Sequence, residues 1–481
     1  MLLPLADGLL FLALLTAPLL YGAVHWLSLL YLAFFSVLIF NLINLERPEA
    51  LTPLYRCPWT WLGLGLLVSV IFQLIPLPAE IIRNISPSTF RFYAMYLPGG
   101  LGEGKHFTLS VSPSDTVRGL IQLLTYGLFF LAVLMRLVPD TSGKEAAHSV
   151  SLQKSEFLKL GCLTGVLSLL FHSLYDFNLH IPANGVYFVV LLALGAGAVD
   201  KVYDHAFFRR MVGFLITVGF LIALFAIVQK FSYNGQIFWI GLTAPNPVGP
   251  YYNYDHYAGF MELCGAVAIS MAVANIVHTS FFYRKGLVEK ILWFSTKEAN
   301  KAVRYLLMSA VMVATIFMST SRGGIMSFIL SQIIFFAIVF WAIGRSRKGK
   351  RLIGVLVAVV FLAGVVVVWL GPEAFLKRFH MTSIDKIFKI EGPDAYRIQF
   401  YQGTAKVIRD FPILGTGLGT FGTNFTRYRQ FDFRGGTDYL RYTHNDYLQL
   451  VSETGIPGLL FLIGFMIFYL AAILRVARKL E

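Results

Sequence analysis

From Met211 to Gln229 the chain runs without one charged side chain, and stretches of this kind recur from its first residues almost to its last. An apolar run of about 20 residues, wound at roughly 1.5 Å per residue, matches the thickness of a bilayer's hydrocarbon core. Candidate spans lie near 5–23, 25–44, 59–77, 118–136, 158–173, 184–200, 211–230, 257–276, 305–320, 325–343, 353–370 and 456–474. The fifth and sixth are short and broken by polar residues. Of the 481 residues, 57% are hydrophobic and 14% charged, against roughly 25% charged in a soluble domain. Such a chain cannot cover itself with polar surface in water; it needs lipid as its solvent. The expected fold is an all-α integral membrane protein of about twelve transmembrane helices, forming a single membrane domain over residues 1–481.

Lysine and arginine in short loops mark the cytoplasmic side. Arg284, Lys285, Lys290, Lys297, Lys301 and Arg304 share one loop, and Arg345, Arg347, Lys348, Lys350 and Arg351 another. Arg209 and Arg210 precede the seventh span, and Arg475, Arg478 and Lys479 follow the last. Twelve spans put all four clusters on one face, with both termini cytoplasmic; an odd number breaks the agreement. The stretches 78–117, 242–256, 320–324 and 371–455 then face outward, the last being a large loop before the final helix. The net charge of +14 comes in short clusters between apolar runs, without a nucleic-acid reader motif, so no nucleic-acid partner is expected. Cys57, Cys162 and Cys264 lie far apart and read as packing residues. The first segment lacks a basic start and a small-residue cleavage site, and reads as a retained helix.

Polar residues able to do chemistry collect in the outward stretches. Ser319-Thr320-Ser321-Arg322-Gly323-Gly324 puts a cation at the membrane boundary beside two glycines, a pattern of either close backbone approach or a snorkelling helix end. Asp394 to Arg409, which contains Tyr396 and Arg397, reads as an amphipathic helix. Gly415, Gly417 and Gly419 follow in a loop shaped to approach lipid or another helix. Tyr442-Thr443-His444-Asn445-Asp446-Tyr447-Leu448-Gln449 leads through Glu453 to the last span. His444 is the group most able to exchange protons near neutral pH, and a carboxylate such as Asp446 or Glu453 can fix its tautomer. Upstream, His172, Asp176 and His180 have i, i+4, i+8 spacing, which invites a metal reading, but Pro182 and the aromatic mix favour a turn. Asp255-His256 form a similar outward pair.

Ser-Arg-Gly-Gly at 321–324, Tyr396-Arg397 before Phe-Pro-Ile-Leu-Gly-Thr-Gly, and Thr-His-Asn-Asp-Tyr-Leu-Gln at 443–449 resemble the O-antigen ligase and polymerase superfamily over roughly 210–470. Asn253-Tyr254-Asp255-His256 resembles a further family element, with Asp255 where the family usually has Asn. The resemblance implies a GT-C-type glycosyltransferase of the bacterial inner membrane, with 78–117 and 371–455 as periplasmic loops. It implies a donor glycan on undecaprenyl pyrophosphate and an acceptor that is lipid A-core or another lipid-linked glycan. It further implies His444 as general base, Arg322 and Arg397 as pyrophosphate ligands, and Asn445, Asp446, Glu453 and His256 in support. The donor is already activated, so neither metal nor cofactor is expected. A lipid-facing cleft would admit the polyprenyl chain, and Tyr442 or Tyr447 would stack on sugars. One departure stands out: 172–188 resembles a stretch that lies after the Thr-His-Asn motif in the family. Moving a two-helix unit preserves helix parity, so 172–185 is expected beside the His444 loop in space.

The motifs do not separate a ligase, which moves O-antigen onto lipid A-core, from a polymerase, which extends a lipid-linked glycan; ligase is the leading reading. A protein O-oligosaccharyltransferase is of the same kind. A transporter is the alternative of another class, but carriers usually place polar residues at the midplane on repeated, broken helices. Here they gather at one face and no repeat is visible.

Overall fold

The computed structural model describes residues 2–97, 105–138, 149–196, 204–243, 247–277, 286–343, 393–429 and 440–480. Helices α1 (Leu2–Leu19), α2 (Trp26–Glu46) and α3 (Pro58–Gln73) come first. The stretch 78–117, expected as a polar loop, carries α4 (Ala79–Ile85) and α5 (Pro87–Tyr96). An antiparallel pair, β1 (Leu77–Pro78) with β2 (His106–Phe107), ties its ends together. Then follow α6 (Pro113–Leu137), α7 (Ser149–His172), α8 (Pro182–Ala196), α9 (His205–Ser232), α10 (Tyr254–Val277), α11 (Leu287–Trp293), α12 (Lys297–Ser319) and α13 (Arg322–Ile343). The large outer segment contributes α14 (Pro393–Asp410), α15 (Phe421–Phe425) and α16 (Asp446–Thr454), and α17 (Ile456–Leu480) follows.

Eight of these helices are long and apolar enough to cross a membrane: α1, α2, α6, α9, α10, α12, α13 and α17. The expected spans at 59–77 and 184–200 correspond to the shorter apolar helices α3 and α8, and that at 158–173 to the more polar α7. The span at 353–370 lies outside the described residues. Helix α8, described as far as Ala196, lies inside the bundle. All its residues but Val189 are buried, and a helix apolar all round belongs inside a bundle. Glycines 161 and 165 of α7 lie against Ser270 and Leu263 of α10, letting the two backbones approach as small residues do in membrane bundles.

One end of the bundle is fastened by ions. Arg136 at the end of α6 forks onto Asp7 of α1, Nε to Oδ1 at 2.7 Å and Nη2 to Oδ2 at 2.9 Å. Its Nη1 reaches Asp204, the N-cap of α9, at 3.3 Å. Leu3 N–H donates to Glu46 at the end of α2, and Lys479 near the end of α17 is within electrostatic reach of Lys159. Tyr187 near the start of α8 donates to Leu14 O near the end of α1, and Gly195 at the far end of α8 lies against Lys159 O, so the start of α1 and the end of α17 share one side of the bundle.

Candidate functional site

The opposite end gathers the polar motifs, beginning with the α12–α13 junction. Thr320 turns the chain in the left-handed region (φ 59°), and Ser321 caps α13 by accepting from Gly324 N–H at 3.1 Å. Ser321 Oγ also donates to Asp255 Oδ1 at 2.6 Å. Arg322 is thus the first residue of α13, not part of a loop. A side chain at Gly323 would press on the His172 ring, and one at Gly324 on Ala258 and Glu262. The two glycines are what allow the start of α13 to dock on α7 and α10. They hold Arg322 beside the turn that follows α7.

That turn, residues 173–181, meets the 442–446 segment. His444 Nδ1 lies 3.1 Å from Asp176 Oδ1. Asp446 N–H donates to Ser173 O at 3.0 Å, while Asp446 accepts from Ser173 Oγ, Leu179 N and His180 Nδ1 at 2.7, 3.1 and 2.7 Å. Asn445 N-caps α16 through Leu448 N–H and donates to Leu174 O. The expected adjacency of 172–185 and the His444 loop is what the structure has. His444 is held in the left-handed region (φ 54°), a conformation that costs a non-glycine residue of order 1–3 kcal/mol and clusters at working sites. Its carbonyl accepts from Tyr401 Oη at 3.0 Å, and the ring of Phe400 stacks on its imidazole at 5.9 Å. Arg397, one turn before Tyr401 on α14, shares that helix face.

The carboxylate against His444 is therefore Asp176; neither Asp446 nor Glu453 fills the role expected of them. Asp446 is spent on the 173–180 turn. Glu453, two turns along α16, accepts from Gly419 N, Phe421 N and Gln449 Nε2 and organises the glycine loop. A side chain at Gly415, which has φ 67°, would run into the Glu453 backbone, so this loop approaches a helix. His172, Asp176 and His180 diverge. His172 Nδ1 sits 2.7 Å from Glu262 Oε1, whereas His180 pairs with Asp446. Helix α7 ends at His172, which removes the common helical face that the spacing suggested.

His256 does join the cluster. Its Nε2 is 3.9 Å from Asp176 Oδ2, too long for a hydrogen bond but close for two buried ionisable groups. Phe177 fills the centre: Tyr442 stacks on it at 4.2 Å, and the rings of His256 and His444 meet it edge-on at 4.8 and 4.9 Å.

The electrostatics favour an ionised Asp176. Burial opposes the charge, but the hydrogen bond from His444 and the fields of His256, His444 and His172 hold the carboxyl well below the usual range. An ionised Asp176 makes Nδ1 of His444 the protonated nitrogen, leaving Nε2 with its lone pair. For His180, burial works against the charge, yet the bond to Asp446 and its field raise the pKa. Burial pushes Glu453 up, against the field of His180 and its three donors.

In the sequence Asp176 stands out only as part of a polar turn, and Tyr401, Arg118 and Arg441 belong to no motif. The last two line a cavity of about 710 Å³ between α3, α6, α8 and α17. His444, Arg322 and Arg397 are not among its lining residues.

The fold and this cluster define a multi-pass, mostly helical membrane protein in which a half-buried histidine meets a buried carboxylate at one end of the bundle. The family model described as O-antigen ligase matches residues 307–463, the stretch with the Ser-Arg-Gly-Gly, Tyr-Arg and Thr-His-Asn motifs. That stretch, about a third of the chain, is similar to the O-antigen ligase family. No curated protein and no solved structure matches the chain.

Proposed function

We propose that the chain transfers a glycan from an undecaprenyl-pyrophosphate donor to an acceptor hydroxyl at the periplasmic face, with O-antigen passed to lipid A-core. The observation that carries this reading is the His444–Asp176 pair, set in a strained backbone beside the helices that bear Arg322 and Arg397. Nε2 of His444 takes the proton of the acceptor hydroxyl. The oxygen forms its bond to the anomeric carbon, the bond from that carbon to the diphosphate breaks, and its electron pair leaves with the diphosphate. Arg322 and Arg397 offset the charge that develops there, since guanidinium forks fit phosphate oxygens and stay charged. Neither step calls for a metal. The site faces the periplasm in a bundle of twelve spans of GT-C type, with both termini cytoplasmic in the inner membrane. The shared side of α1 and α17 and the basic clusters support this orientation.

The test is a reconstituted assay with an undecaprenyl-pyrophosphate glycan, with and without lipid A-core, comparing wild type with His444→Ala. General-base catalysis contributes about 10²–10⁴-fold, and a loss of that size is expected. Product that needs lipid A-core marks a ligase; longer lipid-linked glycan without it marks a polymerase. Product made equally well by His444→Ala refutes the assignment of the base, and no product from wild type in either arm refutes the transfer reading.

A further inference from the structure

The 710 Å³ cavity has the form of a groove. Along α6 its lining runs from Asp115 to Leu131, roughly 24 Å at the helical rise, most of the hydrocarbon thickness of about 30 Å. Leu64 and Leu124 in its wall are exposed at 42% and 39%, so it opens on the side of the bundle that faces lipid. Its deeper wall is apolar, with Phe188 and Phe465 prominent, and its outer end carries the guanidinium side chains of Arg118 and Arg441. Three carboxylates also line that end, and each is engaged by the protein itself. Asp115 accepts from Ser112 and Thr423, Asp446 from the 173–180 turn, and Glu453 from the glycine loop and Gln449. Arg118 lies 5.5 Å over the Trp26 ring, and both arginines act on Tyr442. A long apolar slot with two cations at its mouth is complementary to a hydrocarbon chain that ends in a phosphate.

The groove is not the seat assigned to the donor. Tyr442 lines it, Phe177 is stacked behind Tyr442, and His444 meets Phe177 from the cluster side. We infer that the groove seats the phosphorylated lipid anchor of the acceptor, with one chain along α6 and a phosphate at Arg118 and Arg441. The donor diphosphate is held separately at Arg322 and Arg397. The inference rests on the transfer reading. It adds that the two lipid substrates enter separate seats on either side of the Tyr442–Phe177 wall.

Gly63 and Gly127 line the groove, and a Cβ at either meets nothing within 4 Å, so Gly63→Leu and Gly127→Leu start from open space and narrow the slot. The full-length protein is assayed with the undecaprenyl-pyrophosphate glycan and lipid A-core, each titrated in turn. In both glycine variants and in the Arg118→Gln/Arg441→Gln double variant, the KM for lipid A-core should rise tenfold or more while the donor KM stays within twofold. A rise in the donor KM alone, or no change in either, overturns the inference. Native mass spectrometry of lipid A-core bound without donor separates the two readings. Binding weakened by the groove variants but followed by no transfer in wild type sinks the transfer reading and leaves the groove as a lipid seat. Transfer with binding insensitive to the groove variants sinks the groove.

Discussion

Replacing Asp176 by asparagine keeps the side chain's shape and removes its charge. In the native protein the ionised carboxylate receives Nδ1–H of His444 at 3.1 Å, in a pocket closed by Phe177 and the start of α16. A hydrogen bond to a charged group contributes about 1.5–3 kcal/mol, and in the proposed transfer that charge also stabilises the imidazolium formed when His444 takes the acceptor proton. At 1.36 kcal/mol per tenfold, the substitution should lower kcat by roughly 10–150-fold. Both KM values should stay near wild type, because Asp176 lies behind the histidine. The assay is donor-to-acceptor transfer by purified protein, with thermal melting recorded in parallel to show that the variant is folded. A folded Asp176→Asn enzyme within threefold of wild-type kcat would refute Asp176 as the orienting group. An effect confined to the donor KM would instead mean that its charge acts on the donor's seat.

Three further outcomes follow from the geometry. Arg136→Gln should destabilise the protein by less than the about 3–5 kcal/mol of a buried charge left uncompensated, because Arg210 stays 3.6 Å from Asp7; unfolding in graded denaturing detergent reads it, and no shift at all would contradict the Asp7 pairing. Gly415→Ala should lower the melting temperature, since left-handed backbone alone costs a residue with a Cβ about 1–2 kcal/mol and the methyl also meets the Glu453 backbone. The raised pKa of His180 gives stability that is full below its unfolded value of about 6.5 and is lost as pH rises through the higher folded value. His180→Gln should flatten that part of the melting profile, and an unchanged slope would place the titration elsewhere.

Much of this architecture is written in local patterns. Apolar run length marks the long spans, and the basic clusters give the common side of the two chain ends that the Arg136 network and Lys479 bear out. Helix Pro393–Asp410 follows from its amphipathic period. The site is legible in its parts and less so in its pairings. The motif around His444 names the histidine, and the displaced likeness of 172–188 places the turn beside it. The choice of carboxylate is a different matter. Asp446 stands two residues from His444, but as the first residue of α16 it points back into the 173–180 turn, and Asp176 takes the position against the imidazole. Sequence distance says little about side-chain direction at a helix start. Nor does apolarity alone separate a lipid-facing helix from a buried one such as α8. Arg118 and Arg441 carry no motif, since a groove depends on four helices meeting.

The turn after α7 depends on partners synthesised long after it. Ser173 O, Leu174 O and Leu179 N–H find their hydrogen bonds on residues some 220–270 positions later, Tyr401, Asn445 and Asp446. At a translation rate of roughly 5–20 residues per second, the ribosome needs about 10–50 seconds to deliver them. During that interval the chain adds Arg322 and much of its membrane bundle, and His444 comes near the end. A ribosome that stops early, or a protease that removes the last sixty residues, leaves the turn without its partners Asn445 and Asp446. The turn can take its final form only once the chain is almost complete.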